Sequence, residues 1–200
     1  MQRSYFYLGL AFFLGSLPFG YWLALARGVD LRQQGSGNTG ATNVGRVLGQ
    51  KWGYLVFGLD LGKGWLAVAL AQSVGGLSDR WVLAAGVGAV LGHVFSPWLG
   101  FRGGKGVATS AGILVGLTPW IALGMAVLWA GVFQISRTVS VASLSAATAF
   151  PALVFWFHPT QTLLQWISIG ISVLVWIRHR DNLQRLFLGK ENRFKKDPSK

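Results

Sequence analysis

The stretch SAGILVGLTPWIALGMAVLWAGVFQIS, residues 110–136, decides the fold. It contains 27 residues without a charged side chain, and only the Thr118-Pro119 pair interrupts its apolar character. About 20 residues are enough for a helix to cross the hydrocarbon core of a membrane. The stretch therefore crosses once, or it turns at Thr118-Pro119 and crosses twice, and the two alternatives place the C-terminus on opposite sides.

Further apolar segments lie before and after this stretch. Residues 5–26 contain no charge over 22 residues. A cleaved signal peptide would have a shorter apolar region followed by a small-x-small cleavage site, so we expect a retained helix, bent at Pro18. The remaining predicted spans are residues 52–77, 81–101, 138–157 and 160–177, separated by polar glycine-rich loops at 27–51 and 102–109 and followed by a basic tail at 178–200.

The composition is typical of a membrane protein. Hydrophobic residues make up 52% of the 200 residues and charged residues 12%, whereas a soluble domain has about 25% charged residues. These values exclude a disordered chain and an ordinary soluble domain. The absence of cysteine excludes disulfides, thiolate metal sites and cysteine nucleophiles. Because the basic residues flank long uncharged runs, the net charge of +12 indicates topology and an anionic substrate, not nucleic acid.

The distribution of lysine and arginine favours seven crossings, because these residues prefer the cytoplasmic side. With two crossings in residues 110–136, 15 of the 18 basic residues are cytoplasmic, while Arg3 and Arg80 lie outside and Lys63 lies within a span. Short crossings are tolerated where protein or a water-filled cavity surrounds them. We predict an all-α polytopic integral membrane protein of about seven transmembrane helices, with one domain over residues 1–200, an outer N-terminus and a cytoplasmic C-terminus. Five or six crossings is the alternative.

A first glycine-rich segment on the predicted cytoplasmic face is a candidate phosphate-binding loop. It reads GSGNTGATN at residues 35–43 and is followed by Arg46. Glycine allows close approach of the backbone, successive N–H groups can surround an anion, and arginine forms paired hydrogen bonds with phosphate. The alternative is a flexible polar loop. The candidate ligands here are Gly35, Ser36, Gly37, Asn38, Gly40, Thr42, Asn43 and Arg46.

A second glycine-rich segment, GFRGGKGVAT at residues 100–109, lies on the same predicted face. It is not a nucleotide P-loop, because Leu99 and Gly106 occupy positions where that motif needs glycine and Ser/Thr. A glycine-rich loop before a helix still favours an anion at the helix N-terminus. The alternative is that the basic residues only determine topology. The candidate ligands are Gly103, Gly104, Lys105 and Thr109.

Two further polar clusters follow in the second half of the chain. Ser140 and Ser143 are three residues apart, as are His179 and Asn182, so each pair shares a helix face. The alternative for the serines is a helix cap with packing of small residues. The alternative for the second pair is a tail that faces lipid headgroups.

Ionisable residues within predicted spans are the last candidates. Asp60 and Lys63 form an i,i+3 pair, and His93 is the only histidine within a span. Such residues usually face the interior of a helix bundle. Each has a structural alternative, an ion pair for the first two and a hydrogen-bonded core histidine for the third. The sequence has no Ser-His-Asp spacing and no carboxylate cluster, so it implies no metal and no cofactor.

Four motifs together resemble the bacterial acyl-phosphate:glycerol-3-phosphate acyltransferases, the PlsY family. They are GSGNTGATNV at 35–44, GHVF at 92–95 with GGKGVAT at 103–109, RTVSVAS at 137–143, and HRDNLQRL at 179–186 with GKEN at 189–192. The resemblance covers nearly the whole chain. Thr39, where much of the family has proline, and Ser96 are departures that remove no proposed ligand.

The resemblance implies a seven-helix inner-membrane enzyme whose active site faces the cytoplasm. Such an enzyme moves a fatty acyl group from acyl phosphate to the sn-1 hydroxyl of glycerol 3-phosphate, giving lysophosphatidic acid for phospholipid biosynthesis. It would work among membrane lipids, with a peripheral acyl-phosphate synthase as a partner and no nucleic acid. The predicted catalytic residues are Ser36, Asn38, Arg46, Lys105, Ser143, His179 and Asn182. The predicted substrate-binding residues are Gly35, Gly37, Gly40, Thr42, Asn43, Asp60, Lys63, His93, Gly103, Gly104, Thr109 and Ser140.

The chemistry of an acyl phosphate suits such residues. It is a mixed anhydride with a good leaving group, so positioning and stabilisation of charge can supply most of the catalysis. No protein base is obvious, and we expect the phosphate of the donor to take the proton from the attacking hydroxyl. A transporter for a phosphorylated solute is the competing class, although the chain has no detectable inverted repeat. A lipid-binding scaffold would explain the basic tail but not the two glycine-rich loops.

Overall fold

The computed structural model describes residues 2–194, and every regular element in that range is helical. The last part of the predicted basic tail, residues 195–200, lies outside the described residues. The α-helices are α1 (Gln2–Ser16), α2 (Phe19–Leu25), α3 (Ala41–Leu48), α4 (Gln50–Ala69), α5 (Asp79–Val94), α6 (Val107–Leu117), α7 (Pro119–Ser136), α8 (Val139–Phe157), α9 (Thr162–Arg178) and α10 (Arg180–Phe187). A π-helical turn, Leu70–Val74, continues α4, and short 3-10 turns lie at Leu31–Gln33 and Pro97–Leu99.

Within residues 2–194, five helical segments are long and apolar enough to cross a membrane, namely Gln2–Leu25, Gln50–Val74, Asp79–Leu99, Pro119–Ser136 and Val139–Phe157. Helices α9 and α10 add a sixth if this pair, bent by 55°, is one span. Helix α6 is apolar but has only 11 residues. Helix α6 ends at Leu117 and α7 begins at Pro119, so the helix is interrupted at Thr118-Pro119, and a reversal of direction there stays a prediction. The described residues thus hold five or six segments long enough to span a membrane, besides the short α6. The count of seven crossings and the orientation of the termini stay predictions.

The chain divides into two compact units, Met1–Pro119 and Trp120–Lys200. In the first unit, α1 packs against α5, α3 packs against α4, and α4 packs against α6. In the second unit, α8 packs against α9. There, Trp129 of α7 also donates a hydrogen bond from Nε1 to Oγ of Ser143 in α8, at 3.1 Å. The single domain over residues 1–200 stays a prediction.

Glycine allows α4 and α6 to approach closely. A Cβ atom on Gly64 would overlap the carbonyl group of Thr109, and a Cβ atom on Gly112 would overlap the carbonyl oxygen of Leu61. Small residues at helix contacts permit this kind of backbone-to-backbone packing, which is common in membrane proteins. The short helix α6 is therefore held along its length by α4.

The break between α1 and α2 confirms the predicted bend at Pro18. Proline has no N–H group and its ring clashes with the preceding turn, so α1 ends at Ser16. The last carbonyl groups of a helix have no partner within it. The carbonyl of Ser16 accepts a hydrogen bond from Ser96 Oγ at 2.7 Å, and the carbonyl of Leu17 accepts one from Lys63 Nζ at 2.9 Å. The break is thus tied to α4 and to the segment after α5.

Candidate active site

The first glycine-rich loop is held in place by the side chain of Asn43. Asn43 is 1% exposed, its Oδ1 accepts from the N–H of Ser36 at 2.8 Å, and its Nδ2 donates to the carbonyl of Gln34 at 2.9 Å. Gly35 and Gly37 have φ angles of 62° and 70°, which glycine adopts without a steric penalty. Asn43 therefore shapes the loop from the inside of the protein.

The end of this loop leads directly into α3. Oδ1 of Asn38 accepts a hydrogen bond from the N–H of Gly40 at 3.0 Å, and α3 begins at the next residue. Thr42 lies in the first turn of α3 and Arg46 in its last turn. The side chains of Ser36, Asn38, Thr42 and Arg46 are all partly exposed. A helix N-terminus beside a glycine-rich loop and an arginine is an arrangement that suits a phosphate group.

The second glycine-rich loop lies against the end of α5. The N–H of Gly104 donates to the carbonyl of His93 at 3.1 Å, and the N–H of Gly103 donates to the carbonyl of Val94 at 3.0 Å. A Cβ atom on Gly103 would overlap the His93 carbonyl oxygen, and one on Gly104 would overlap His93 Nε2. Only glycine permits this approach. Lys105, the next residue, is partly exposed.

Helix α6 begins where this loop ends. Gly106, with a φ angle of 86°, precedes its first residue. Thr109 is fully buried in the contact with α4, and among the described residues its hydroxyl has no hydrogen-bond partner. The structure therefore places Thr109 between two helices and Lys105 at the more open start of α6.

Asp60 and Lys63 form a buried ion pair on α4. Lys63 Nζ lies 2.8 Å from Asp60 Oδ1, and the two side chains are 3% and 5% exposed, respectively. Inserting an ionisable residue into a membrane span costs about 2.5–3.5 kcal/mol. A buried ion pair is often no more stable than apolar residues of similar volume. The presence of this pair is therefore weak evidence for a role in stability alone.

His93 of α5 lies next to this pair. Its Nδ1 is 3.6 Å from Asp60 Oδ1, and the residue is 9% exposed. The three predicted residues Asp60, Lys63 and His93 thus meet within the first unit. They line a small pocket with Ser16, Leu17, Pro18, Phe19, Gly20, Thr39, Ser96, Leu99 and Gly104.

Three polar side chains of the second unit donate hydrogen bonds to Glu191. Its Oε1 accepts hydrogen bonds from Ser140 Oγ at 2.8 Å and from Asn182 Nδ2 at 2.6 Å. Its Oε2 accepts from Arg185 Nε at 2.7 Å. Burial by itself raises the pKa of a carboxyl group, but the hydrogen bonds from Asn182, Arg185 and Ser140 outweigh it and hold the pKa of Glu191 below its ordinary value.

Glu191 is absent from the site residues predicted from the sequence. It is the only glutamate of the chain and lies in the GKEN motif at 189–192, which is the signal that could have identified it. Its partner Ser140 is 51 residues away along the chain. Sequence spacing does not show a contact over that separation, and the structure adds Glu191 to the candidate site.

His179 and Ser143 are the other predicted residues of the second unit. His179 is 2% exposed, and its Nδ1 lies 2.8 Å from the carbonyl oxygen of Val175. Because a carbonyl oxygen only accepts, Nδ1 is the donor in this contact, and Nε2 is the other polar atom of the ring. The Oγ atom of Ser143 accepts from Trp129, so its own hydrogen can be donated to another acceptor.

Comparison with known proteins identifies the family. A family model described as glycerol-3-phosphate acyltransferase matches residues 5–189. The chain belongs to the glycerol-3-phosphate acyltransferase family. The glycerol-3-phosphate acyltransferase of Aquifex aeolicus is 44% identical over 195 residues, covering 96% of this chain and 100% of that protein. That of Geobacter sulfurreducens is 44% identical over 186 residues, covering 93% and 95%.

Crystal structures of PlsY, described as an integral membrane glycerol 3-phosphate acyltransferase, have the same fold. The glycerol 3-phosphate form matches with a TM-score of 0.90 and 41% identity over 96% of both chains. The lysophosphatidic acid form matches with a TM-score of 0.87 and 40% identity, over 96% of this chain and 95% of that one. These similarities confirm the family that the motifs resemble and the all-helical integral membrane fold.

In this family member, the predicted site residues fall into two groups. The first unit holds both glycine-rich loops, Arg46, Lys105 and the cluster of Asp60, Lys63 and His93. The second unit holds Ser140 and Asn182, which meet at Glu191, together with Ser143 and His179. Among residues 2–194, no group of three or more His, Cys, Asp or Glu side chains is arranged to hold a metal ion.

Proposed function

We propose that this chain transfers a fatty acyl group from acyl phosphate to the sn-1 hydroxyl of glycerol 3-phosphate, giving lysophosphatidic acid and phosphate. The observation that carries this proposal is the pair of glycine-rich loops in the first unit. Each loop leads into the start of a helix, α3 or α6, and each is accompanied by a cation, Arg46 or Lys105. Two such loops suit a reaction in which both substrates carry a phosphate.

The similar proteins support the acceptor and the product of this reaction. The curated relatives are named glycerol-3-phosphate acyltransferases, and the similar crystal structures are described as glycerol 3-phosphate and lysophosphatidic acid forms. The acyl phosphate donor is supported by the chemistry of the site. A mixed anhydride needs no covalent catalyst, and this chain has no cysteine nucleophile.

We assign these residues to the two substrates. The donor phosphate is held by the backbone of both loops, Lys105 and the side chains of Ser36, Asn38 and Thr42. Glycerol 3-phosphate is bound by Arg46, Lys105, Ser143, His179 and Asn182. The hydrogen bonds of Asn43 and Ser140 go to Ser36 and Glu191, so these two residues contribute through the shape of the site.

The reaction follows from these contacts. The sn-1 oxygen attacks the carbonyl carbon of the acyl phosphate, the bond from that carbon to the phosphate oxygen breaks, and the phosphate leaves with the electron pair. The hydroxyl proton passes to the leaving phosphate, so no protein base and no acyl-enzyme intermediate take part. Lys105 and the backbone N–H groups stabilise the negative charge on the leaving group, which is usually the largest catalytic contribution in such sites.

The cellular setting is part of the same proposal. The enzyme is a multi-pass protein of the bacterial inner membrane, and its active site faces the cytoplasm, where glycerol 3-phosphate is available. Its acyl chain substrate and product are surrounded by membrane lipids. An acyl-phosphate synthase that binds at the membrane surface supplies the donor.

The test is acyl transfer by the purified protein in lipid vesicles, from palmitoyl phosphate to labelled glycerol 3-phosphate, without coenzyme A. We expect the wild type to form lysophosphatidic acid. The Lys105→Ala variant should lower kcat/KM by about 100-fold or more, as is typical when a donor to developing charge is removed. Lys51→Ala, which changes an exposed lysine at the start of α4, is the matched control and should retain activity.

Other outcomes would contradict the proposal. A folded protein that forms no product from palmitoyl phosphate, but does so from an acyl thioester, would show that the donor is wrong. Transport of unmodified glycerol 3-phosphate into the vesicles would favour the transporter. We expect His179→Ala to raise the KM for glycerol 3-phosphate with turnover retained. Loss of turnover with intact substrate binding would contradict proton transfer to the donor phosphate.

A further inference from the structure

The first unit contains a buried row of three ionisable side chains, and no step of the proposed reaction uses them. Lys63 Nζ lies 2.8 Å from Asp60 Oδ1, and the same oxygen lies 3.6 Å from His93 Nδ1. Lys63 also donates to the carbonyl of Leu17 at 2.9 Å. The row therefore links the break between α1 and α2 to α4 and then to α5.

At its His93 end, this row of side chains meets the second glycine-rich loop. A Cβ atom on Gly104 would overlap His93 Nε2, so the imidazole ring lies directly beneath the loop backbone. The N–H groups of Gly103 and Gly104 also donate to the last carbonyls of α5, including that of His93. The imidazole is thus placed between the Asp60 carboxylate and the loop that ends at Lys105.

The geometry argues against a direct contact of this row with substrate. The side chains of Asp60 and Lys63 are 5% and 3% exposed, and the ammonium group of Lys63 is engaged by Asp60 and by the carbonyl of Leu17. A buried ion pair is also weak evidence for a role in stability alone. A fixed carboxylate charge can orient a neighbouring imidazole ring. Asp60 and Lys63 can therefore act on the second glycine-rich loop through His93.

We propose that Asp60, held by Lys63, and His93 are positioning residues that set the placement of the loop at residues 103–105. Asp60 fixes the orientation of the His93 ring, and the ring supports the backbone at Gly104. The position of Lys105 follows from that support. The proposal rests on the proposed role of this loop in binding phosphate, and it assigns no contact between the three side chains and the reacting atoms.

The first test separates positioning from charge balance. Asp60→Asn alone leaves the ammonium of Lys63 buried without its carboxylate, so it should also destabilise the fold. The double variant Asp60→Asn with Lys63→Met removes both charges together, and we expect its thermal unfolding midpoint to return close to that of the wild type. Its kcat/KM for the substrates should still fall by about 10- to 100-fold, because a misplacement of about 1 Å has effects of that size on the rate.

The second test measures the loop without turnover. The chain has no cysteine, so a single Arg102→Cys substitution places a thiol next to the loop at an exposed position. Arg80→Cys, also exposed and located at the opposite end of α5, is the matched reference. In the double variant and in His93→Ala, the thiol at position 102 should react with maleimide several-fold faster than in the wild-type background. The thiol at position 80 should react at an unchanged rate.

The conservative variant His93→Gln covers the case in which His93→Ala fails to fold. Glutamine keeps a polar group of similar reach, so we expect its labelling rate and kcat/KM to lie between those of the wild type and the double variant. Wild-type labelling and kinetics in the double variant would overturn the proposal. A loss of kcat with unchanged KM and unchanged labelling would also overturn it, because that result requires a direct catalytic role. Since labelling needs no acyl donor, its result does not depend on whether acyl phosphate is the donor. A failure of this inference can therefore be distinguished from a failure of the proposed function.

Discussion

Asn43 and Glu191 are buried polar residues whose hydrogen bonds join separate segments of the chain. Asn43 holds the loop before α3 through Ser36 and Gln34, and Glu191 holds Ser140 of α8. A buried group that loses its partner costs about 1–3 kcal/mol. We therefore expect substitution at either position to change the shape of the site.

Glu191 makes the stability of the protein depend on pH. Its pKa in the folded state lies below the ordinary value of 4.5. The stabilisation that it provides is therefore complete above pH 4.5 and is lost as the pH falls through the folded-state pKa. We expect Glu191→Gln to lower stability by about 2 kcal/mol at pH 7, as for hydrogen bonds to a charged group, and the difference from wild type should shrink below pH 4.5.

The measurement is the thermal unfolding midpoint of the two proteins in detergent between pH 7 and pH 3. Asp181→Asn is the control, because Asp181 is an exposed carboxylate on α10, the helix that carries Asn182 and Arg185. Its midpoint should follow that of the wild type at every pH. A difference between wild type and Glu191→Gln that is the same at pH 7 and pH 3 would show that the carboxylate charge is not responsible.

At the scale of elements, α6 depends on its contact with α4. With 11 residues, it is shorter than the usual membrane-spanning helix. Short helices persist at membrane depth where protein surrounds them, and the paired glycines Gly64 and Gly112 allow the backbones of α4 and α6 to approach. The same contact fixes the start of α6, where Lys105 and the second glycine-rich loop are located.

Substitution of Gly64 by alanine tests this contact. The added methyl group would overlap the Thr109 carbonyl, so the helices must separate, and we expect Gly64→Ala to destabilise the protein by about 1–3 kcal/mol. Gly62→Ala is the matched control on the same helix, since a Cβ atom at Gly62 meets nothing within 4 Å. Thermal unfolding in detergent measures both. Equal midpoints for the two variants would mean that the helices do not need the close approach.

At the scale of the whole molecule, the basic residues and the apolar spans together predict the topology. Fifteen of the 18 basic residues are cytoplasmic with seven crossings, an outer N-terminus and a cytoplasmic C-terminus. Large apolar residues such as Trp120, Trp156 and Trp166 are exposed on the described helices, as expected for surfaces that face lipid. The placement of 110–136 as two crossings decides on which side the tail lies.

Single cysteines in this cysteine-free chain test the predicted topology. A membrane-impermeant maleimide should label Arg80→Cys in intact cells, because the turn before α5 is predicted to lie outside. It should label Arg102→Cys and Lys190→Cys only after the membrane is permeabilised. Labelling of Lys190→Cys from the outside would show that the number of crossings is even and that residues 110–136 cross once.

The sequence by itself determined the apolar spans, the helix break at Thr118-Pro119 and the family. These features are local, because a bilayer acts on each apolar segment according to its length, and proline ends a helix wherever it occurs. The glycine-rich loops and their cations are also visible as continuous motifs. For these reasons the all-helical membrane fold and the residues of both loops could be predicted without coordinates.

Only the tertiary structure decided which of these residues meet. Residues from separate helices and loops meet in three places: Gly104 lies close to His93, His93 approaches Asp60, and Glu191 accepts hydrogen bonds from Ser140 and Asn182. Hydropathy does not determine how two apolar helices are rotated or how far one slides along the other, and both depend on the packing of side chains across the contact. The same packing buried Asn43, whose side chain joins Ser36 to Gln34 across the loop.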